Sequence, residues 1–182
     1  DVETNRKQTR YKYSPAHQDV AVCCNPNAGR ITPYFLEKSW LKENDNVLVN
    51  VLLMPNTVET KIKNHSVKIE TITEYPYQNK FTFKISNPKY AHFIIKIRKP
   101  SWATKVLTNE SYAIDNEFLV FDRKMGKDNK IKIEFLTEIQ IKEDGNKEKY
   151  FSYGPLFYAK SFESIEQKGK SYLTNFDDLF YI

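Results

Sequence analysis

The sequence predicts a mainly β fold, an antiparallel β-sandwich of jelly-roll-like type preceded by one short N-terminal helix. Three observations predict it. From residue 47 onward apolar residues recur at every second position in run after run, the spacing of strands with one buried and one wet face. Turn-forming clusters such as Gly126-Lys127-Asp128-Asn129 and Asp144-Gly145 separate the runs, as in sandwiches and jelly rolls. Only one stretch, residues 26–42, carries apolar residues near helical spacing.

Residues 1–16 are polar and show no period, with Tyr11, Tyr13 and Pro15 reading as an extended lead-in. Asn25 is a good N-cap and Pro26 suits the first helical position. Ile31, Phe35, Lys38 and Leu41 then follow a helical period, with Tyr34 and Leu36 beside them. Pro33 removes a hydrogen bond in mid-helix, so a kink or a second helix starting at Thr32-Pro33 is expected. Trp40 is expected to pack under the sheet. The polar turn Lys42-Glu43-Asn44-Asp45-Asn46 marks a boundary, giving residues 1–45 as one segment and 46–182 as the sandwich domain.

The strands come next in order. Val47–Met54 is apolar throughout, as in a strand covered on both faces. Thr57–Ile62, Val67–Thr71, Phe81–Ser86 and Phe93–Arg98 alternate or nearly so, followed by Lys105–Thr108, Glu117–Phe121, Lys130–Leu136, Glu138–Lys142, Lys149–Tyr153 and Leu156–Lys160. The tail from Phe162 to Ile182 has no period, and its aromatics are expected to cover a sheet edge.

Composition narrows the function. The chain has 182 residues, enough for one compact domain and an appendage without a disulfide staple. Its 28 basic residues are interleaved with 23 acidic ones. No phosphate-tracking stripe emerges, so a nucleic-acid partner is not expected. No run of 18 apolar residues exists, so no helical membrane span is expected. Glycine-rich phosphate loops and a nucleophile elbow are absent, and Ser, His and Asp residues show no local signature. The chain begins at Asp1 rather than Met, and further sequence is expected upstream.

Cys23 and Cys24 are the only cysteines, and they are adjacent. They cannot make a disulfide framework. They are either two buried, inert thiols or two reactive ones. The second reading has a physical basis, because a thiolate just before a helix start is favoured by the positive end of the helix. His17 and Asp19 precede the pair and are either solvated or available to a metal. Trp102, Tyr75 and Tyr77 are either core and turn aromatics or platforms for stacking on sugars, the second belonging to a non-catalytic carbohydrate-binding module.

The stretch Cys23-Cys24-Asn25-Pro26-Asn27-Ala28-Gly29-Arg30 resembles a CC-x-x-N-x-x-R motif of the bacterial β-L-arabinofuranosidases of glycoside hydrolase family 127. Downstream, Leu48-Val49-Asn50-Val51-Leu52-Leu53 looks like that family's first sandwich strand, and Tyr75-Pro76-Tyr77 resembles its YPW-like turn. Ile97-Arg98-Lys99-Pro100-Ser101-Trp102-Ala103 is similar to an LRIPSWA signature, and Tyr153-Gly154-Pro155-Leu156-Phe157-Tyr158-Ala159 to a YGPLVYA signature.

The resemblance implies an (α/α) helical barrel that holds the sugar, followed by β-sandwich domains. The helix at residues 26–42 would then be the end of that barrel. It also implies a zinc ion held by three Cys and one Glu, a Cys of the pair as nucleophile, and a separate Glu as acid/base. By motif, Cys23 would be nucleophile and zinc ligand, Cys24 a second ligand, and Asn27 and Arg30 supporting residues. The barrel, the other zinc ligands and the acid/base Glu would lie upstream. The resemblance thus implies the C-terminal portion of a retaining glycosidase acting on L-arabinofuranosides or related plant glycans, inactive alone, with the glycan engaged through the upstream barrel. Such a role favours the periplasm or the cell exterior.

Overall fold

The computed structural model describes residues 24–87, 89–126, 128–145, 147–158, 166–168 and 179–181. The chain divides into two compact units, residues 35–159 and residues 1–34 with 160–182. The larger unit is a β-sandwich, as expected. Its first sheet contains β1 (Trp40–Asn44), β2 (Val47–Asn50), β6 (Ala91–Arg98), β8 (Ala113–Asp115) and β9 (Phe118–Met125), in the order β1-β2-β6-β9-β8. Its second contains β3 (Asn56–Ile62), β4 (His65–Thr73), β5 (Lys80–Ser86), β7 (Lys105–Thr108) and β10 (Asn129–Leu136), in the order β3-β4-β5-β10-β7.

All pairings are antiparallel except β2 with β6, which run parallel from Val47 opposite Ile94 to Asn50 opposite Ile97. That pairing follows from the path of the chain. After β2 it leaves the first sheet, builds the β3-β4-β5 meander in the second, and returns as β6 beside β2.

Alternation decides which side chains meet. Phe93, Ile95, Ile97, Leu119 and Phe121 fill one inner face, and Ile69, Phe81, Phe83, Ile85, Ile131, Ile133 and Phe135 the other. Register brings them into rows, with Ile95 opposite Phe121 and Phe83 opposite Ile131. Each such side chain contributes about 1.5–3 kcal/mol through burial. Trp40 crosses from the first sheet to meet Phe83 of the second edge-on, with ring centroids 6.1 Å apart. The wet faces carry cross-strand ion pairs, Lys68–Glu59 at 2.7 Å and Lys84–Glu70 at 3.3 Å among them, each exposed and of small energetic weight.

Lys96 is a special case on the outer face of the first sheet. Its ammonium lies 3.0 Å from Glu43 and 3.3 Å from Asp115. Hydrogen bonds to Glu43 and then Asp115 raise its pKa above the ordinary lysine value. The stabilisation from this charge is therefore complete below the ordinary lysine pKa and lost only as pH rises through the higher folded value.

The helix and its junction differ from the periodicity reading. The helix, α1, runs Cys24–Glu37 as one continuous element with Pro33 inside it, so no second helix begins there. It stops five residues before residue 42 because Ser39 caps it: the Ser39 amide and hydroxyl both donate to the Leu36 carbonyl, at 3.2 and 2.7 Å. Trp40 is buried in the core as expected, but as the first residue of a strand. Lys42–Asn46 then falls in the β1–β2 hairpin, where the Asn46 amide donates to Asn44 Oδ1 at 2.8 Å.

Two short connections were hidden by the lack of glycine. Lys63 and Asn64 both adopt positive φ, 46° and 63°, and close the β3–β4 hairpin. That is the conformation two-residue hairpin loops demand. Asn116, at φ 53°, does the same job between β8 and β9.

A third, three-stranded sheet joins β11 (Ile139–Glu143), β12 (Lys149–Tyr153) and β13 (Leu156–Tyr158). Its register places Ile139, Ile141, Phe151, Tyr153 and Tyr158 on one face, all of them exposed among the described residues. In the smaller unit β14 (Glu166–Lys168) pairs with β15 (Leu179–Tyr181). The rest of the tail expected to cover a sheet edge lies outside the described residues.

Phe83→Ala should lower unfolding stability by about 3–5 kcal/mol in urea titrations, since it opens a cavity where the sheets meet. Tyr77→Ala, at a side chain 82% exposed, should stay within about 0.5 kcal/mol of the parent.

Candidate functional site

Of the cysteine pair, the described residues include only Cys24. Cys24 is the first residue of α1, which puts Asn25 and Pro26 inside the first turn rather than at the cap and first position. Proline is tolerated there because the first four helical amides have no intrahelical acceptor. The first turn holds no acidic residue, so the positive end of the helix is not offset by a carboxylate of its own. Asn27 and Arg30 stand three residues apart on the same side of the helix, both exposed. Cys23, His17 and Asp19 lie outside the described residues.

A zinc site asks for four ligands. Among the described residues no three His, Cys, Asp or Glu side chains come together in a way that could hold a metal. Cys23, His17 and Asp19 are outside that set, and two adjacent cysteines by themselves would fill at most half of a zinc site.

The other sequence signatures converge on one end of the sandwich. Tyr75 packs on Phe81 with centroids 5.5 Å apart, and the Tyr75–Pro76 peptide is cis. Pro100 to Ala103 form a tight turn closed by the Ala103 amide on the Pro100 carbonyl at 3.1 Å. The turn lifts Trp102 edge-on against Phe135, 6.1 Å away, and Thr137 Oγ1 donates to the Trp102 carbonyl at 3.1 Å. Gly154, from the third signature, sits directly on this assembly at φ 58°. A Cβ there would lie 3.2 Å from Asn79 Nδ2 and 3.5 Å from Trp102 Cε3.

Between these segments lies a pocket of about 290 Å³. Leu53, Tyr75 and Trp102 supply apolar wall, and Arg98, Ser101 and Glu117 supply polar groups. The Arg98 guanidinium donates to Glu117 Oε2 at 3.2 Å. Burial raises the pKa of the Tyr75 phenol, which therefore stays protonated and able to donate through the neutral range. Two broader depressions of about 400 and 450 Å³ lie over β5-β10-β7 and over β3-β4. They are floored by alternating strand side chains, and none of the signature segments reaches them.

Trp102 and Tyr75, read from the sequence as either core and turn aromatics or sugar platforms, each pack against the core and line the pocket. Tyr77 projects outward and lines none of the three depressions. Sequence reasoning missed the Arg98–Glu117 pair. The two residues are 19 positions apart, and only the β6–β9 register, with Arg98 opposite Phe118, brings them together.

Comparison with known proteins gives a consistent picture. Residues 46–136 match the family model described as beta-L-arabinofuranosidase, GH127 middle domain. A search of curated protein sequences finds no match. Among solved structures, the chain is similar to a GH127 β-L-arabinofuranosidase from Geobacillus stearothermophilus T6, with TM-score 0.66, 15% identity, 89% of this chain and 34% of that one covered. It is also similar to a second GH127 β-arabinofuranosidase, with TM-score 0.64, 21% identity, and 75% and 26% coverage. A third structure, described as a glycoside hydrolase, matches with TM-score 0.65, 17% identity, and 87% and 31% coverage. The chain thus spans about a third or less of the length of the structures it matches.

Gly154→Ala should cost about 1–2 kcal/mol in chemical denaturation, because the left-handed backbone disfavours a side chain. Gly29→Ala, in a helical position with open space where the Cβ would go, should instead stabilise the chain by about 0.5–1 kcal/mol.

Proposed function

The chain belongs to glycoside hydrolase family 127, and from that premise we propose that it is the C-terminal part of a retaining glycosidase acting on L-arabinofuranosides or related plant glycans. The observation that carries this reading is the family match over residues 46–136. The cysteine pair at the head of α1 supports the chemistry.

In this reading Cys23 is the nucleophile. An ordinary cysteine thiol, with a pKa of about 8.5, is only a few per cent ionised at neutral pH. A position immediately before a helix, in a first turn free of acidic residues, lowers that value and raises the thiolate fraction. The sulfur attacks the anomeric carbon as the bond to the leaving oxygen breaks. The electron pair goes to that oxygen, which takes a proton from a carboxylic acid. Water, deprotonated by the resulting carboxylate, then displaces sulfur by attack on the face that the leaving group vacated, opposite the sulfur, restoring thiolate and acid with net retention.

The carboxylic acid is supplied by sequence beyond these 182 residues, so the chain alone is inactive. Asn27 and Arg30 support the site from the next turn of the helix. Cys23 and Cys24 are the zinc ligands this chain would offer. When bound, the metal would hold the thiols ionised, but with its remaining ligands elsewhere no step is assigned to it.

In the full-length enzyme, Cys23→Ser should lower kcat on an aryl L-arabinofuranoside by roughly 10³-fold or more. Iodoacetamide should inactivate the parent with an apparent thiol pKa below about 8.5. Full activity in Cys23→Ser would overturn the thiolate role. Hydrolysis by the 182-residue chain alone would overturn the assignment of the acid to sequence beyond it.

A further inference from the structure

A pocket lies between Tyr75, Arg98 and Trp102. The described residues that line it all belong to the sandwich unit. Its volume, about 290 Å³, stands at the bottom of the range for small-molecule sites.

The polar groups around it are open to solvent, Arg98, Ser101 and Glu117 all being exposed. Among the described residues the Trp102 indole N–H, the Tyr75 hydroxyl and the Ser101 hydroxyl make no hydrogen bond, and none of these atoms is among the buried unsatisfied ones. Arg98 donates to Glu117 alone, leaving most of its five N–H groups available. Glu117 accepts from Arg98 on one oxygen only.

Aromatic rings that are apolar in body and polar at the tip, beside a guanidinium and a carboxylate, match one kind of ligand: a small ring with apolar C–H faces and a rim of hydroxyls. We infer that this pocket binds a single sugar ring, its C–H face against Trp102 and Tyr75 and its hydroxyls bonded to Arg98, Glu117 and Ser101. It is a carbohydrate site on the sandwich unit. The geometry selects a sugar ring, and the choice of a pentose as first probe rests on the proposed function.

Indole proton resonances of the isotopically labelled chain provide the test. The Trp102 indole should shift saturably with L-arabinose, with a Kd of about 1 mM. Trp40, whose indole already donates to Asn56 Oδ1 at 3.1 Å, should stay still. Arg98→Met should weaken binding at least roughly tenfold, the loss of a hydrogen bond to a charged group, with the thermal midpoint unchanged. Cys23→Ser should bind as the parent does, so failure of the thiolate mechanism would leave this site standing. Saturation by D-glucose but not L-arabinose would uphold the sugar pocket and overturn the pentose. A linear response matched by glycerol, or binding indifferent to Arg98→Met, would overturn the site itself.

Discussion

The closing of two apolar sheet faces on each other is the constraint from which the rest of the structure follows. Each face is built by alternation, and neither could remain exposed to water. Phe81, Phe83, Phe93, Phe121 and Phe135 are all fully buried between the sheets, and their size sets the spacing that the loops must bridge. A slip of one residue in any strand would turn its phenylalanines outward. The parallel β2–β6 contact is the topological expression of the same demand. Leu48 and Ile95 both need the interior, and only a return beside β2 lets β6 supply it.

One polar cluster ties the edges of this sandwich to the helix. The Ser39 carbonyl accepts from the Val51 amide at 3.0 Å and from buried Asn50 Nδ2 at 3.2 Å. The Ser39 hydroxyl accepts from Asn56 Nδ2 at 2.9 Å while donating to Leu36. Asn56 Oδ1 in turn receives the Trp40 indole. The first sheet, the second sheet and the last turn of α1 therefore share one hydrogen-bonded junction. A buried network of this kind is fixed in geometry, because any displaced member leaves a polar group without a partner in a poor solvent for it. The last turn of α1 consequently ends at a rigid point.

Strands with strict alternation were legible in the sequence almost residue by residue. Val67 to Thr71, Phe81 to Ser86 and Phe93 to Arg98 lie within β4, β5 and β6. The errors fall where local pattern and tertiary context compete. Trp40 and Leu41 extend a helical period on paper, yet the Ser39 cap ends the helix and Trp40 is drawn into the core. Val47–Met54 reads as one strand, but pairing stops at Asn50, whose side chain turns inward to the junction. For the site the division is different. Cys24, Asn27 and Arg30 were visible as a motif, while the Arg98–Glu117 pair depends on strand register, which no local spacing encodes.

Signature segments are commonly read as markers of catalysis, yet here their shared property is mechanical. Gly154 combines a left-handed backbone, φ 58°, with a close approach to Asn79 and contact with Trp102. Pro100 to Ala103 hold Trp102 against Phe135, and Tyr75 closes the same end by packing on Phe81. Three stretches far apart in sequence thus support one wall. Substituting any of them would disturb the others, which is reason enough for such a set to occur together. The pocket is what this wall leaves open. Its rigidity comes from the core behind it, and its polarity from the one ion pair at its rim. Rigid aromatic surface beside hydrogen-bonding groups open to solvent is the chemistry on which the proposed sugar site rests.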